Sequence, residues 1–490
     1  MDSGTLISNI GHLFLYDRNT PMLFSSGLFW FLFILFLPVY ILLKKSKAKM
    51  TLFVIAFSLF FYYKSSGLFF LMLIATSLAD WLLSRAIFRT KDRSRRLALM
   101  WLSICISLSI LGYFKYANFF LWNWNAMVRG NFQPLDIILP VGISFYTFQS
   151  ISYVVDVFKR KITPTRSWFD YLFFLSFFPA LVAGPIVRAD YFLPQIKKNL
   201  QADSSMIWGG LWLIIIGILK KAVIADYIAQ YNDLIFNDPG LYSGVQTLMG
   251  VVGYTMQIYC DFSGYSDMAI GLALIMGFRL ATNFDSPYQS RNLTEFWRRW
   301  HISLSTWLRD YLYIPLGGNR KGTLRTYLNN FLTMLIGGLW HGAAWKFVFW
   351  GAMHGLGLAI HKACRPLLVR IPDTPLTIFF SWLLTFLYVS FLWVFFRAKD
   401  FSDSILIIKN IFKEFHWWQF PQFISARPIW CLMMLVLIIM HFVPQRWADT
   451  LQLRYAASPW LVKLIIFLIV VQLVIEFMLA EVQPFIYFQF

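Results

Sequence analysis

The chain has 490 residues, of which 58% are apolar and only 14% are charged. Soluble domains carry about a quarter charged residues, so this composition excludes an ordinary water-soluble domain and predicts an all-α, polytopic integral membrane protein. The net charge is +19, but the basic residues fall in short runs between apolar segments, which indicates cytoplasmic loops and argues against nucleic-acid binding.

A helix that crosses a bilayer needs about 20 mostly apolar residues. The candidate segments, in chain order, are 27–43, 50–63, 67–86, 97–113, 136–157, 170–187, 206–225, 243–260, 327–345, 346–363, 377–396, 428–443 and 460–480. Because several of them are short, we expect about eleven true spans, with re-entrant segments among the remainder. The whole chain, 1–490, is predicted to form one membrane domain.

From the end of the candidate span 243–260, residues 259–267 place two carboxylates and four hydroxyls, two of Ser and two of Tyr, in an apolar context; Asp261 and Tyr265 are among them. These side chains could line a polar tunnel or cap a broken helix. Irregular backbone at membrane depth is tolerated only around a cavity or inside protein, so either interpretation implies a polar interior.

Residues 291–325 are the most unusual segment, because they carry seven Arg or Lys against two acidic residues. This bias predicts a position at the cytoplasmic face. Asn292 followed by Glu295 has capping-box spacing, which predicts a helix start. One apolar stripe then continues at three- and four-residue steps through Trp297, Trp300, Leu304, Trp307, Leu308 and Tyr311. We therefore predict one amphipathic helix, which ends before Pro315.

His341 is a candidate for chemistry, because an ionisable group within a span is costly and often functional. It lies in the motif Trp340-His341-Gly342, after an apolar run, and a neutral imidazole there could act as a general base. Alternatively, Gly338 and Gly342 form a packing seam in which His341 only bonds a neighbouring helix. Spacing alone does not separate these interpretations.

His354 follows His341 by thirteen residues, roughly 220° around a continuous helix. It should therefore point away from His341, unless residues 342–346 break the helix. His354 and His361 are seven residues apart and share a helical face, which favours polar contacts between helices.

The other histidines and the cysteines suggest less chemistry. His301 either lines a cytoplasmic entrance or is an interfacial polar residue. Structural roles are expected for His12, His416 and His441. No Cys or His pair has metal-ligand spacing, so no metal site is predicted. The four dispersed cysteines are expected to be buried small apolar side chains: Cys105, Cys260, Cys364 and Cys431.

Several long sequence blocks resemble the membrane-bound O-acyltransferase family, and specifically its bacterial branch that serves alginate O-acetylation. Teichoic-acid D-alanylation proteins are more distant relatives. The blocks are Leu139–Phe158, Phe177–Gln195, Tyr259–Gly271, Asn283–Gly318 and Gly337–Gly355. The resemblance implies that a motif-bearing core at about 139–361 belongs to a helical bundle around a central tunnel.

The resemblance also implies residue roles. The family's invariant histidine falls on His341 and its second position on His301, so His341 would be the general base and His301 would position a thioester or stabilise an oxyanion. Candidates for binding the substrate or CoA are Trp297, Arg298, Arg299, Trp300, Trp340, Asp261 and Tyr265. For the two arginines, cytoplasmic topology alone is the alternative explanation.

By the same resemblance, the chain is a multi-pass protein of the bacterial inner membrane, surrounded by lipid. It has no permanently bound cofactor and uses acetyl-CoA, or another acyl thioester, as donor substrate. The acceptor is a polysaccharide or a carrier, with an extracytoplasmic SGNH-type acetyltransferase as partner. Two alternatives stay open: a glycan or lipid transporter without covalent chemistry, and an acyltransferase for a lipid or protein acceptor.

Overall fold

The computed structural model describes residues 14–18, 21–182, 184–198 and 201–477. His12 lies outside these residues. Throughout the described ranges the regular structure is helical and no strand occurs, so the predicted all-α class is confirmed.

The chain divides into two compact units, one formed by Met1–Gly210 with Ala269–Leu280 and the other by Leu211–Met268 with Ala281–Phe490. The helices that belong wholly to the first unit are α1 Gly27–Leu43, α2 Lys47–Ser66, α3 Phe70–Arg89, α4 Arg93–Leu111, α5 Ala117–Val128, α6 Ile143–Phe158, α7 Trp168–Ser176, α8 Phe178–Leu181 and α9 Ala189–Lys197.

Two predicted spans of the first unit differ from the structure. The segment predicted at 136–157 becomes helical only at Ile143, because Pro140 lies within it and a residue before proline disfavours the helical conformation. The segment predicted at 170–187 is broken at Phe177 into α7 and the four-residue α8. Both differences arise where the apolar pattern continues but the backbone cannot remain helical.

The remaining helices follow from Ser204 onward, and a boundary between the two units falls within the first and the third of them. These helices are α10 Ser204–Ile218, α11 Asp226–Asn237, α12 Gly244–Ile275, α13 Leu293–Arg299, α14 Ile302–Leu308, α15 Thr323–His341, α16 Trp345–Leu368, α17 Pro375–Arg397, α18 Phe401–Lys413, α19 Gln419–Ala426, α20 Pro428–Phe442, α21 Gln445–Ala457 and α22 Trp460–Phe477. A π-helical segment, Leu219–Ala225, joins α10 to α11.

Among the described residues, five helical stretches are long and apolar enough to cross a membrane: Lys47–Arg89, Arg93–Val128, Ser204–Asn237, Pro375–Arg397 and Trp460–Phe477. The pair α19 and α20, bent by 97°, would make a sixth span. This criterion does not confirm the predicted count of about eleven. α22 is only 6% buried in its apolar window, and such a surface is stable in lipid but not in water.

Helices α15 and α16 form a hairpin in which two glycines pack closely against each other. A Cβ added to Gly338 would lie 2.9 Å from the Cα of Gly351, and one added to Gly351 would lie 3.0 Å from the Cα of Gly338. Gly338 is therefore a packing residue, as one of the two interpretations predicted. Gly342 instead follows the end of α15 in an extended conformation, and a Cβ there would overlap the Phe347 ring.

Candidate functional site

The site begins at a helix break that the apolar stripe did not predict. The capping prediction is confirmed, since the Asn292 side chain accepts the Glu295 backbone N–H at 2.9 Å. However, α13 ends at Arg299, and His301 has a φ of 42°, in the left-handed region. The single amphipathic helix predicted through Tyr311 is therefore wrong. A left-handed non-glycine residue costs roughly 1–2 kcal/mol, so local contacts must stabilise this break.

Asn283 supplies those contacts from outside the segment. Its backbone carbonyl accepts the Ile302 N–H at 2.9 Å. Its side-chain Oδ1 accepts the Ser303 backbone N–H at 3.2 Å and the Ser303 hydroxyl at 2.8 Å. Its Nδ2 donates to the Ser266 hydroxyl at 3.2 Å. Asn283 thereby fixes the turn that carries the His301 ring.

The same asparagine determines which nitrogen of His301 carries the proton. A backbone N–H can only donate, so the Asn283 atom that faces Ser303 N must be the oxygen. His301 Nδ1 lies 3.1 Å from this oxygen and must therefore donate to it, whereas the Ser303 hydroxyl is 3.5 Å from Nδ1. Nε2 of the neutral ring consequently has a lone pair.

His301 is fully buried, not interfacial as one alternative had it. Burial lowers the pKa of His301 to about 3, because the charged imidazolium is poorly solvated there. The ring packs edge-on against Phe262 of α12, at 4.6 Å between centroids. His301 is therefore a neutral hydrogen-bond acceptor at neutral pH.

His341 is the last residue of α15 and is 4% exposed. Its ring centroid lies 5.0 Å from Trp340, 5.1 Å from Trp350 and 5.3 Å from Phe396. Trp340 also faces His301, at 6.2 Å. The structure thus brings both predicted catalytic histidines to the same indole, although 40 residues separate them in sequence.

His354 belongs to the same neighbourhood, because a helix break within residues 342–346, the exception to its predicted separation from His341, is present. The assumption of a continuous helix fails, since Gly342 and Ala344 are extended and α16 starts anew at Trp345. Trp350 lies 4.6 Å from His354 and 5.1 Å from His341, between centroids. We call His301, Trp340, His341, Trp350, His354 and Trp297 the aromatic–histidine cluster.

His361, although it shares a helix with His354, lies outside the cluster. Its Nδ1 is 3.0 Å from the Thr294 hydroxyl, which is the kind of contact between helices that its spacing suggested. His441 accepts the Tyr288 backbone N–H at 3.0 Å, and His416 stacks on Trp418 at 4.7 Å.

The predicted binding residues around α13 separate into two groups. Trp297 and Trp300 face inward: Trp297 Nε1 donates to His354 Nδ1 at 3.3 Å, and Trp300 packs on Trp393 at 5.0 Å between centroids. The arginines face outward. Arg298 is exposed, whereas Arg299 is paired with Glu295 at 3.0 Å and with Asp285 at 3.6 Å.

Asp261 and Tyr265 lie in the middle of α12, which is continuous, so capping of a broken helix is excluded. Asp261 pairs with Lys221 of the π-helical segment at 2.5 Å, and Tyr265 is fully buried. α12 reaches the cluster through other residues, since Phe262 contacts His301 and Ser266 bonds Asn283.

Sequence reasoning missed several members of this site: Asn283, Ser303, Phe262, Trp350 and His354. Asn283 is the first residue of a sequence block that resembles the family, and nothing else in the sequence indicated a role for it. Of the cysteines, Cys260 is buried as predicted but Cys105 is exposed, so the prediction for Cys105 is wrong. Within the described part of the chain, no group of three or more His, Cys, Asp or Glu residues could hold a metal ion.

Comparisons with known proteins agree with the family resemblance. The sequence model of the membrane-bound O-acyltransferase family matches residues 98–401. A "Probable alginate O-acetylase AlgI" of Pseudomonas putida is 38% identical over 96% of this chain and all of its own length. A "Peptidoglycan O-acetyltransferase" of Helicobacter pylori is 37% identical over 83% of this chain and 81% of its own length. A "Teichoic acid D-alanyltransferase" of Bacillus subtilis is 27% identical over 57% of this chain and 74% of its own length.

Proposed function

The chain belongs to the membrane-bound O-acyltransferase family, and we propose that it takes an acetyl group from a cytoplasmic thioester, such as acetyl-CoA, for transfer to hydroxyls of an extracytoplasmic polysaccharide. The observation that carries this proposal is the position of His341, a buried histidine at a helix end, which shares the Trp340 indole with the neutral His301. An acyl-transfer site needs a base of this kind in a water-poor setting.

In the proposed reaction, His341 takes the proton of the acceptor hydroxyl as its oxygen attacks the thioester carbonyl carbon. A new C–O bond forms and the carbonyl oxygen becomes an oxyanion. When the oxyanion collapses, the C–S bond breaks, and the leaving thiolate receives the proton from His341 as a free thiol. The products are the ester and CoA-SH, and His341 is neutral again. Base catalysis of this kind contributes about 10²–10⁴-fold.

For His301, the hydrogen bonds favour one of the two expected roles. Because Asn283 holds the proton on Nδ1, the other ring nitrogen of the neutral ring accepts a hydrogen bond. An oxyanion needs a donor, so we assign His301 to positioning: it accepts a hydrogen bond from substrate and thereby orients it. This role requires a neutral imidazole, which burial favours.

The proposed acceptor is a polysaccharide hydroxyl. Two relatives that match most of this chain are named for alginate and for peptidoglycan, and both of these contain carbohydrate chains. We propose a location in the bacterial inner membrane, with an SGNH-type acetyltransferase as extracytoplasmic partner. On the donor side, the exposed Arg298 is the candidate contact for CoA phosphates, since Arg299 is already paired with two carboxylates.

The test uses the purified full-length chain in lipid nanodiscs with acetyl-CoA labelled in the acetyl group, measured with and without alginate oligosaccharide. We expect CoA thiol release, and a decrease of about 10²–10⁴-fold in the His341→Ala variant. His416→Ala is the matched control, because His416 only stacks on a surface indole, and it should release CoA at the wild-type rate.

Two results would contradict the proposal. A folded His341→Ala protein that releases CoA as fast as wild type would remove the base from the mechanism. Wild-type protein that consumes no acyl thioester but moves a labelled glycan across the bilayer would establish the transporter alternative.

A further inference from the structure

The His354 proton can be located from its neighbour. Trp297 Nε1 lies 3.3 Å from His354 Nδ1. An indole N–H only donates, so Nδ1 accepts and the neutral ring carries its proton on Nε2. His354 is therefore the opposite tautomer of His301. The Nε2 atom of His354 is a hydrogen-bond donor, whereas the Nε2 atom of His301 has a lone pair and is an acceptor.

Two buried N–H donors near His341 have no hydrogen-bond partner within the described part of the chain: Nε2 of His354 and Nε1 of Trp350. The residues are 0% and 1% exposed, respectively. Leaving such donors unpaired is costly, and native proteins rarely do so without a functional reason. The neighbouring Trp393 shows the usual situation, since its indole N–H donates to the Tyr288 hydroxyl at 3.2 Å.

The two donors occur together and beside the proposed base. Trp350 and His354 are four residues apart on α16, so they share one face of the helix. Their ring centroids are 4.6 Å apart, and Trp350 is 5.1 Å from the ring of His341. The Trp350 ring therefore contacts both the proposed base and the His354 ring, so a substrate bound at His341 lies next to the Trp350 side of this donor pair.

We propose that His354 Nε2–H and Trp350 Nε1–H bind the acyl carbonyl oxygen of the substrate and stabilise the oxyanion that forms when the acceptor attacks. This inference rests on the proposed function, which defines the acyl-transfer reaction but assigns no residue as the donor to the oxyanion. The step adds no covalent bond of its own: negative charge develops on the carbonyl oxygen, and two preorganised donors, held in a dry aromatic setting, stabilise it.

The first test compares Trp350→Phe with Trp393→Phe in nanodiscs, using CoA release from acetyl-CoA as the assay. Both variants delete one buried indole N–H and keep an aromatic ring. We expect kcat of Trp350→Phe to fall about 10²-fold, the usual effect of one oxyanion donor, with KM for acetyl-CoA unchanged. Trp393→Phe should keep its kcat, because its N–H bonds Tyr288.

Thermal unfolding separates catalysis from structure in the same pair. Trp350→Phe removes a donor without a partner, so its Tm should stay or rise. Trp393→Phe removes a made hydrogen bond, so its Tm should fall. The reverse pattern, with Tm and kcat both lowered only by Trp350→Phe, would make Trp350 a structural residue and overturn its assignment.

For His354, the pair is His354→Leu and His354→Gln. Leucine removes the donor, and we expect kcat to fall about 10²-fold; glutamine returns an N–H near the Nε2 position and should restore at least tenfold of that loss. Equal kcat for the leucine variant and wild type would overturn the assignment, even if His341→Ala is inactive as the proposed function requires.

A measurement on the unmodified chain does not depend on activity. Nitrogen-15 NMR of histidine-labelled protein, with the signal of residue 354 identified by its loss in His354→Gln, should show the proton on Nε2. A proton on Nδ1 would overturn the proposal. If the tautomer is as expected but the wild type consumes no thioester, the proposed function fails and the donor geometry stands.

Discussion

Two polar regions of the second unit differ in whether their polar groups have partners. In the lysine–aspartate cluster, made of Lys220, Lys221, Asp226, Asp261 and Asp267, each charge has an opposite charge beside it. Lys221 lies 2.7 Å from Asp226 and 2.5 Å from Asp261, and Lys220 lies 2.7 Å from Asp267. In the aromatic–histidine cluster the polar atoms belong to indole and imidazole rings, and at least two donors have no partner within the described residues.

The difference separates structure from chemistry. Paired charges tie the π-helical segment to α12, because Lys220 pairs with Asp267 and Lys221 with Asp261. Unpaired donors among aromatic rings cost stability, and a substrate oxygen can recover that cost on binding. Polarity alone therefore does not mark an active site; in the aromatic–histidine cluster, two donors with no partner within the described residues lie in contact with each other's rings, and one of them contacts the proposed base.

The largest predicted effect concerns the lysine–aspartate cluster. Lys221→Met should lower the free energy of unfolding by about 3–5 kcal/mol, because Asp226 and Asp261 are left as buried carboxylates without their cation. Thermal unfolding in detergent measures this loss. Lys45→Met, at an exposed position, is the control, and equal Tm values for the two variants would show that the ion pairs contribute nothing.

The next effect concerns the turn that carries His301. Asn283→Ala should lower kcat for CoA release by about 10²-fold, because the His301 ring loses its orientation. Asn329→Ala is the matched control, since Asn329 is also buried but donates to the Gly318 carbonyl at 2.9 Å. It should lower Tm alone; if Asn283→Ala does the same, Asn283 has no part in positioning.

A smaller effect is expected at the charged surface of α13. Arg298→Ala should raise KM for acetyl-CoA about fivefold, with kcat unchanged and the difference shrinking as salt is added. Arg299→Ala should change KM less, because Asp285 and Glu295 already neutralise that guanidinium. Steady-state kinetics at two ionic strengths would decide, and equal KM changes would favour a purely topological role for both arginines.

The smallest effect distinguishes two histidines of one helix. His361→Ala should lower the free energy of unfolding by about 1 kcal/mol, because it loses the bond to Thr294. Its kcat should stay within about twofold of wild type, in contrast to the His354 variants. A large decrease in kcat would mean that the catalytic region extends beyond the aromatic–histidine cluster.

Much of the fold follows from local sequence. Apolar segments near spanning length predicted most helices, the Asn292 cap is where its spacing placed it, and Gly338 packs as a small residue should. The errors lie where a backbone restriction or a distant partner overrides the apolar pattern. Pro140 delays α6, and the Asn283 carbonyl takes the Ile302 N–H, which breaks the predicted amphipathic helix at His301.

The amino-acid sequence by itself determined that the chain lies in a membrane and belongs to its family, because apolar length and long motif blocks are local properties. The same motif blocks singled out His341 and His301. Tertiary structure decided what those rings can do. The extended turn at Gly342–Ala344 brings His354 to the neighbourhood of His341, while Asn283 and Trp297 put the protons of His301 and His354 on opposite nitrogens. Hydrogen-bond partners from distant parts of the chain determine which ring nitrogen carries each proton, and residue spacing within a helix cannot predict those partners.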